Sequence, residues 1–262
     1  MKNLTILLTL LLSSVFMSAS TTPLKVNLPG GSLLHIYKAP SNNSGATVIM
    51  CPGGGYHHLA LTHEGHNMAE WFVNQGINYV VLEYRLPKTS CDTLPMIDAH
   101  EALSYLDRNA KRYGINNKKI GIMGASAGGH LASHIANTDS LVAFQILLYP
   151  VISMNDSIGH GGSRVNLLGR NVTAEIKDRF SNEKLVGEWT PQAFIALSSD
   201  DKDVNPLNSI TYYIALLHHD IPVEVHIYPD GGHGWGFKDS FKHKQEWLQN
   251  LSSWLKDYVI NK

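Results

Sequence analysis

Residues 118–130 read KKIGIMGASAGGH: an apolar run, then Gly124-Ala125-Ser126-Ala127-Gly128, then more small residues. The run "KKIGIMG" predicts a buried strand, and the segment through "GGHLASHIAN" predicts a helix. A Gly-x-Ser-x-Gly pentapeptide between a strand and a helix is the pattern of a nucleophile elbow. The flanking glycines let the chain turn sharply and lift the Ser126 hydroxyl above the sheet edge. Ser126 also falls at a helix N-terminus, where backbone N–H groups favour developing negative charge. A glycine-rich packing turn could hold an incidental serine, but this placement after a buried strand favours the chemical reading.

Outward from this turn the same alternation repeats. "ATVIMC" (46–51), "NYVVLEYRL" (78–86), "AFQILLYPVI" (143–152), "AFIALSS" (193–199) and "VEVHIYP" (223–229) predict strands. Helical spacing appears at 64–76, 96–114, 207–220 and 244–260. Near the start, "LKVNLPGGSLLHIYKAP" predicts an antiparallel hairpin about the turn Pro29-Gly30-Gly31-Ser32. Continuous apolar strands alternating with helices predict an α/β fold, with a mostly parallel central sheet covered by helices on both faces. Residues 21–262 read as one domain, with an irregular insert over 153–190.

Composition narrows the function classes. The chain has 262 residues, 44% of them hydrophobic and 16% charged, with a formal net charge of −1. No lysine/arginine block is present, which argues against nucleic acid or an anionic membrane as partner. Residues 1–20 combine Lys2, an apolar run and small residues at Ser18, Ala19 and Ser20, the build of a secretory signal peptide. A secreted or periplasmic protein, with no membrane association after cleavage, is the expectation. The two cysteines, Cys51 and Cys91, do not make a disulfide scaffold, and Cys51 ends a core-like strand as a small hydrophobe.

A serine needs a base, and the base an orienting acid. In the order serine, acid, histidine, "ALSSDDKDVNP" supplies Asp200, Asp201 and Asp203 after one strand, and "YPDGGHGWGF" supplies His233 after the last. All of these fall at carboxyl ends of strands, where ligands bind in such sheets.

With "CPGGGY", "HEGHNMAEWF", "VVLEYRLP", "GASAGGHLA", "HGGSRVNLLG", "SSDDKDVNPLNS" and "IYPDGGHGWG", the chain resembles the α/β-hydrolase esterases. The resemblance is to the small secreted acetylxylan-esterase-like group that includes bifunctional acetyl/feruloyl esterases. It implies a single α/β-hydrolase domain with Ser126 as nucleophile and His233 as base. The family writes its acid segment Asp-x-x-Val-Pro, so Val204 selects Asp201, with Asp203 a lesser candidate and Asn205 standing in the proline's place. Related esterases carry His-Gly-Gly-Gly after the strand equivalent to 46–51; here it is Pro52-Gly53-Gly54-Gly55. By that likeness the amides of Gly54 and Gly55 join that of Ala127 in an oxyanion hole.

The resemblance implies hydrolysis of short acyl esters through an acyl-enzyme, without a cofactor. Acetylated polysaccharide or oligosaccharide is the implied substrate, with feruloyl esters also implied. From their place in the sequence, Tyr56, Trp235 and the segment 160–164 are candidates either for the pocket wall or for simple packing. The glycines fit neither a P-loop nor a dinucleotide fingerprint, since no Lys-Ser/Thr follows and position 58 is His58. "HEGH" at 63–66 is one residue short of the zinc pattern His-Glu-x-x-His, so no metal is expected, and His130 is read as a packing residue. Two rival readings are a prolyl-oligopeptidase-type peptidase, which usually adds a propeller domain, and a non-catalytic carbohydrate-binding protein, which usually loses one of the three residues.

Overall fold

A computed structural model describes residues 22–40 and 44–261. The signal peptide expected over residues 1–20 lies outside the described residues. Strands β1 (Leu24–Asn27), β2 (Leu33–Tyr37), β3 (Thr47–Cys51), β4 (Asn78–Glu83), β5 (Ile120–Ala125), β6 (Phe144–Leu148), β7 (Ala193–Ser198) and β8 (Val223–Tyr228) form one sheet. Their order is β1-β2-β4-β3-β5-β6-β7-β8. β1 pairs antiparallel with β2 and β2 with β4, while β4, β3, β5, β6, β7 and β8 are mutually parallel. The hairpin and the parallel sheet both agree with expectation.

Every residue of β3, β5, β6 and β7 is buried, so both faces of the sheet are covered. The cover comes from α1 (Ala69–Asn74), α2 (Leu94–Arg108), α3 (Ala110–Tyr113), α4 (Ala127–Thr138), α7 (Leu207–His218) and α8 (Lys244–Leu255). Among the described residues no helix is long and apolar enough to cross a membrane. Strand order reverses at β3, so the loops leaving β3 and β5 diverge and open a crevice at their carboxyl ends.

Two glycines of the pentapeptide are dictated by packing. A Cβ on Gly128 would lie 2.0 Å from the carbonyl oxygen of Cys51, and one on Gly124 would lie 2.0 Å from that of Gly128. The start of α4 therefore rests directly on the end of β3.

The insert over 153–190 is more regular than the sequence suggests. It holds α5 (Gly161–Leu168), α6 (Ala174–Arg179) and a short 3₁₀ turn at Asn182–Lys184. Tertiary bonds fix it. Asn182 Nδ2 donates to the His130 carbonyl at 2.8 Å and to Ser133 Oγ at 2.7 Å on α4. Asn208 Oδ1 on α7 accepts from the N–H groups of Ile152 and Ser153, both at 3.0 Å. Cys51 is a buried free thiol and Cys91 a half-buried one.

Beside β4, Arg85 turns toward α2. Its backbone N–H donates to Asp98 Oδ2 at 2.7 Å, and Nη2 meets Oδ1 at 2.6 Å. Asp98 is fully buried. His130, as the sequence suggests, is packed within the fold: Tyr56 Oη lies 2.8 Å from Nδ1, and the Phe180 carbonyl 2.7 Å from Nε2. A carbonyl can only accept, so Nε2 carries the proton and Nδ1 accepts from Tyr56.

Asp98→Ala removes the acceptor of the Arg85 backbone N–H and guanidinium and is expected to lower the unfolding free energy by about 1–3 kcal/mol, read from urea titrations. Burial, with a lesser contribution from nearby His134, lowers the His130 pKa to about 3, against an ordinary value of 6.5. Between those values the unfolded chain binds more protons than the native one, so stability rises with pH across the window and is lost as pH falls through it. The urea midpoint should decline from pH 7 to pH 4, and His130→Gln, though less stable at neutral pH, should show a flatter decline.

Candidate active site

β5 delivers its final residues into the crevice and the chain reverses at Ser126, with φ 54° and ψ −121°. This backbone region costs a non-glycine residue about 1–3 kcal/mol and survives where surrounding structure over-determines it. Here the Ser126 N–H donates to the Leu148 carbonyl at 3.0 Å, while its own carbonyl accepts from the N–H groups of Gly129 and Val151. The side chain is thereby aimed along the carboxyl edge of the sheet.

His233 approaches from the loop after β8. Gly231, Gly232, Gly234 and Gly236 all have positive φ, which lets this loop fold back over the sheet edge. Asp200 Oδ1 holds it by accepting from the Gly232 N–H at 2.8 Å. His233 Nε2 lies 2.8 Å from Ser126 Oγ, and Nδ1 lies 2.7 Å from Asp201 Oδ2. The other carboxylate oxygen, Oδ1, accepts from the N–H groups of Asp203 at 3.0 Å and Val204 at 2.9 Å. An ionised carboxylate only accepts, so Nδ1 carries the imidazole proton and Nε2 is left to accept from the serine hydroxyl. Asp201 is thus the residue against His233; the Asp203 side chain faces the cleft instead.

The glycine loop closes the other side. Gly54 and Gly55 have φ of 119° and 64°, and both line an open cleft of about 400 Å³ together with Ser126 and His233. Among the described residues, no hydrogen bond takes the N–H of Gly54 or Gly55. The Gly53 N–H is occupied, donating to Glu64 Oε2 at 3.0 Å. Ala127 is the first residue of α4, so its N–H is one of the helix's unpaired first-turn donors beside Ser126. Asn166 Nδ2, from α5, donates to the Gly55 carbonyl at 2.8 Å and ties the insert to this loop.

Two expected wall residues are corrected. Tyr56 and Trp235 are each only 2% exposed and neither lines the cleft. Tyr56 points inward to His130. Trp235, carried between two left-handed glycines, turns under its loop, where its indole N–H donates to Ser198 Oγ at 3.0 Å and its ring stacks on Phe241 at 4.3 Å. Of the segment 160–164, His160 does reach the wall. Its Nδ1 accepts from the Ser163 N–H at the start of α5, and burial, reinforced by nearby His233, lowers its pKa. The histidine cluster does not converge: His57, His58 and His63 face the cleft, while His66 bonds to the Tyr37 hydroxyl. Among the described residues, no group of three or more side chains is arranged to hold a metal ion.

The sequence reading missed Glu64 and Tyr149. Glu64 is 3% exposed and reaches the cleft from below, and Tyr149 Oη donates to Glu64 Oε1 at 2.9 Å. The available signal was a lone carboxylate following the glycine loop, within "HEGH".

Comparison with known proteins gives this geometry a context. Residues 34–157 match the BD-FAE family model. The chain is 38% identical over 231 residues to the acetylxylan esterase of Xylanibacter ruminicola, across 83% of this chain and 46% of that protein. It is 35% identical over 204 residues to endo-1,4-beta-xylanase B of Butyrivibrio fibrisolvens, across 71% of this chain and 32% of that one. The chain therefore spans less than half the length of these two curated relatives. Among solved structures, the acetyl ester-xyloside bifunctional hydrolase of Caldicellulosiruptor lactoaceticus superposes with a TM-score of 0.81 at 32% identity, over 87% of this chain and 89% of that one. A sugar hydrolase from Lactococcus lactis gives 0.79 at 26% identity, over 91% and 99%. By its eight-stranded sheet, its serine turn and its identity across most of a solved relative, the chain belongs to the α/β hydrolases, in their acetylxylan-esterase-like group.

Proposed function

We propose that the protein is a serine carboxylesterase that removes short acyl groups, acetyl above all, from plant polysaccharide or its oligosaccharides. The observation that carries this reading is the unbroken chain from Ser126 Oγ through His233 to Asp201, at 2.8 and 2.7 Å. His233 Nε2 takes the hydroxyl proton as Ser126 attacks the ester carbonyl, and Asp201 holds the imidazolium that forms. The tetrahedral oxygen rests on the amides of Gly54, Gly55 and Ala127, the donors without partners at the cleft. His233 then protonates the departing alcohol, and water attacks the acyl-enzyme by the same route.

The substrate class rests on the printed names of the relatives and on the shape of the cleft. The acetylxylan esterase and the acetyl ester-xyloside hydrolase are named for acetylated xylose-based substrates. The cleft is open to solvent, which suits an ester carried on a bulky sugar polymer. Action outside the cytoplasm fits such a substrate.

Purified protein is expected to hydrolyse p-nitrophenyl acetate faster than the butyrate and to release acetate from acetylated xylan. Ser126→Ala should lower kcat by about 10⁴-fold or more; retained turnover would remove the mechanism. Asp201→Asn should also cost about 10⁴-fold in kcat, by favouring the wrong imidazole tautomer. Asp203→Asn, at a side chain that lines the cleft without bonding His233, should cost far less. Parallel kinetics on the two variants test the assignment, and a reversed ranking would move the acid to Asp203.

A further inference from the structure

Among the described residues, Glu64 is a buried carboxylate with no lysine or arginine partner. The nearest basic group is His63 Nε2 at 3.9 Å, and burial lowers the His63 pKa, disfavouring a positive charge there. A lone buried carboxylate is costly unless its oxygens are satisfied by hydrogen bonds. Each oxygen has one donor. Oε2 takes the Gly53 N–H at 3.0 Å, and Oε1 takes the Tyr149 hydroxyl at 2.9 Å. That hydroxyl in turn accepts from the Gly236 N–H at 2.8 Å. The Tyr149 ring stands edge-on to His233, with centroids 4.8 Å apart.

The fit around Glu64 is close on two sides. A Cβ on Gly53 would lie 2.3 Å from Oε2, and one on Gly236 would lie 3.1 Å from Glu64 Cγ. One side chain thus touches the loop after β3, the residue following β6 and the loop after β8. Those segments carry the unpaired Gly54 and Gly55 amides, the underside of the imidazole, and His233 itself. The bond from the Gly53 N–H to Glu64 fixes the plane of the Pro52–Gly53 peptide, one unit before the Gly54 amide, and so the direction from which the next amides continue.

We infer that Glu64 is a positioning residue that aims the glycine-loop amides at the reacting carbonyl oxygen by accepting from the Gly53 N–H while its other side-chain terminus is braced on Tyr149. This rests on the esterase reading above. The role requires an acceptor at a fixed reach rather than a negative charge. A charge so near a developing oxyanion opposes it, so the gain has to come from geometry.

Two substitutions separate reach from charge. Glu64→Gln keeps the reach and loses the charge; its amide oxygen can accept from Gly53 while its NH₂ donates to Tyr149 Oη, whose own proton then loses its acceptor. Glu64→Asp keeps the charge and shortens the reach by one methylene. With kcat counted per active-site-titrated Ser126 on p-nitrophenyl acetate, Glu64→Asp should lose about 10²-fold, the scale of one misaligned oxyanion donor. Glu64→Gln should stay within about tenfold of the parent, and KM should move less than about threefold in both. Amide hydrogen exchange at Gly53, read by NMR, should follow the same order, faster in the aspartate variant, and it reports on the loop whether or not the protein turns over an ester. Any other ranking in kcat, or Gly53 exchange unchanged in Glu64→Asp, overturns the proposal. Absence of turnover in the parent chain would instead overturn the esterase reading, with the exchange ranking still deciding the role of Glu64 in the loop.

Discussion

The site depends on one steric constraint: the backbone of the β5–α4 turn lies against the end of β3 with no room for a side chain between them. Gly128 faces the Cys51 and Pro52 carbonyl oxygens at distances no Cβ would tolerate. Because of this contact, and because the β3–β5 ladder runs up to Cys51 and Gly124, Ser126 and the glycine loop share one edge of the sheet. The left-handed backbone at Ser126 is held within the same contact, by bonds to Leu148, Gly129 and Val151. The remaining partners are brought to that edge by longer connections, each secured by its own carboxylate: Asp200 for the histidine loop, Asp201 for the imidazole, Glu64 for the glycine loop.

Much of this was legible from sequence, because the decisive signals were local. The glycine spacing around Ser126 lies within one turn, and the strands on either side are apolar without interruption. The positions of Asp201 and His233 could be read because chain order in such a sheet translates directly into position along its carboxyl edge. Glu64 could not be read that way. Its partners are Gly53, 11 residues before it, and Tyr149, 85 residues after it, and no short pattern links the three.

Tyr56 and Trp235 misled for a different reason. An aromatic residue beside glycines looks the same in sequence whether it faces a cleft or the core. The φ values decide: Tyr56 itself is left-handed and Trp235 sits between left-handed Gly234 and Gly236, which turns both rings inward. The helices of the insert were invisible because they are short. α5 has eight residues and opens on two glycines, α6 has six, and their starts are fixed by side-chain caps from His160 and Thr173. Helices of this size owe their existence to caps and tertiary bonds rather than to periodicity.

The way the insert is fastened also bears on access to the site. Its contacts to α4 and α7, and the Asn166 bond to the Gly55 carbonyl, make it a fixed wall rather than a hinged cover. A fixed wall leaves the serine accessible between encounters, with no opening step of the insert to wait for and no interface needed to trigger it. Under the proposed esterase reading, an acyl group within a polymer could then dock sideways without threading a chain end, so internal substituents would be reached as well as terminal ones.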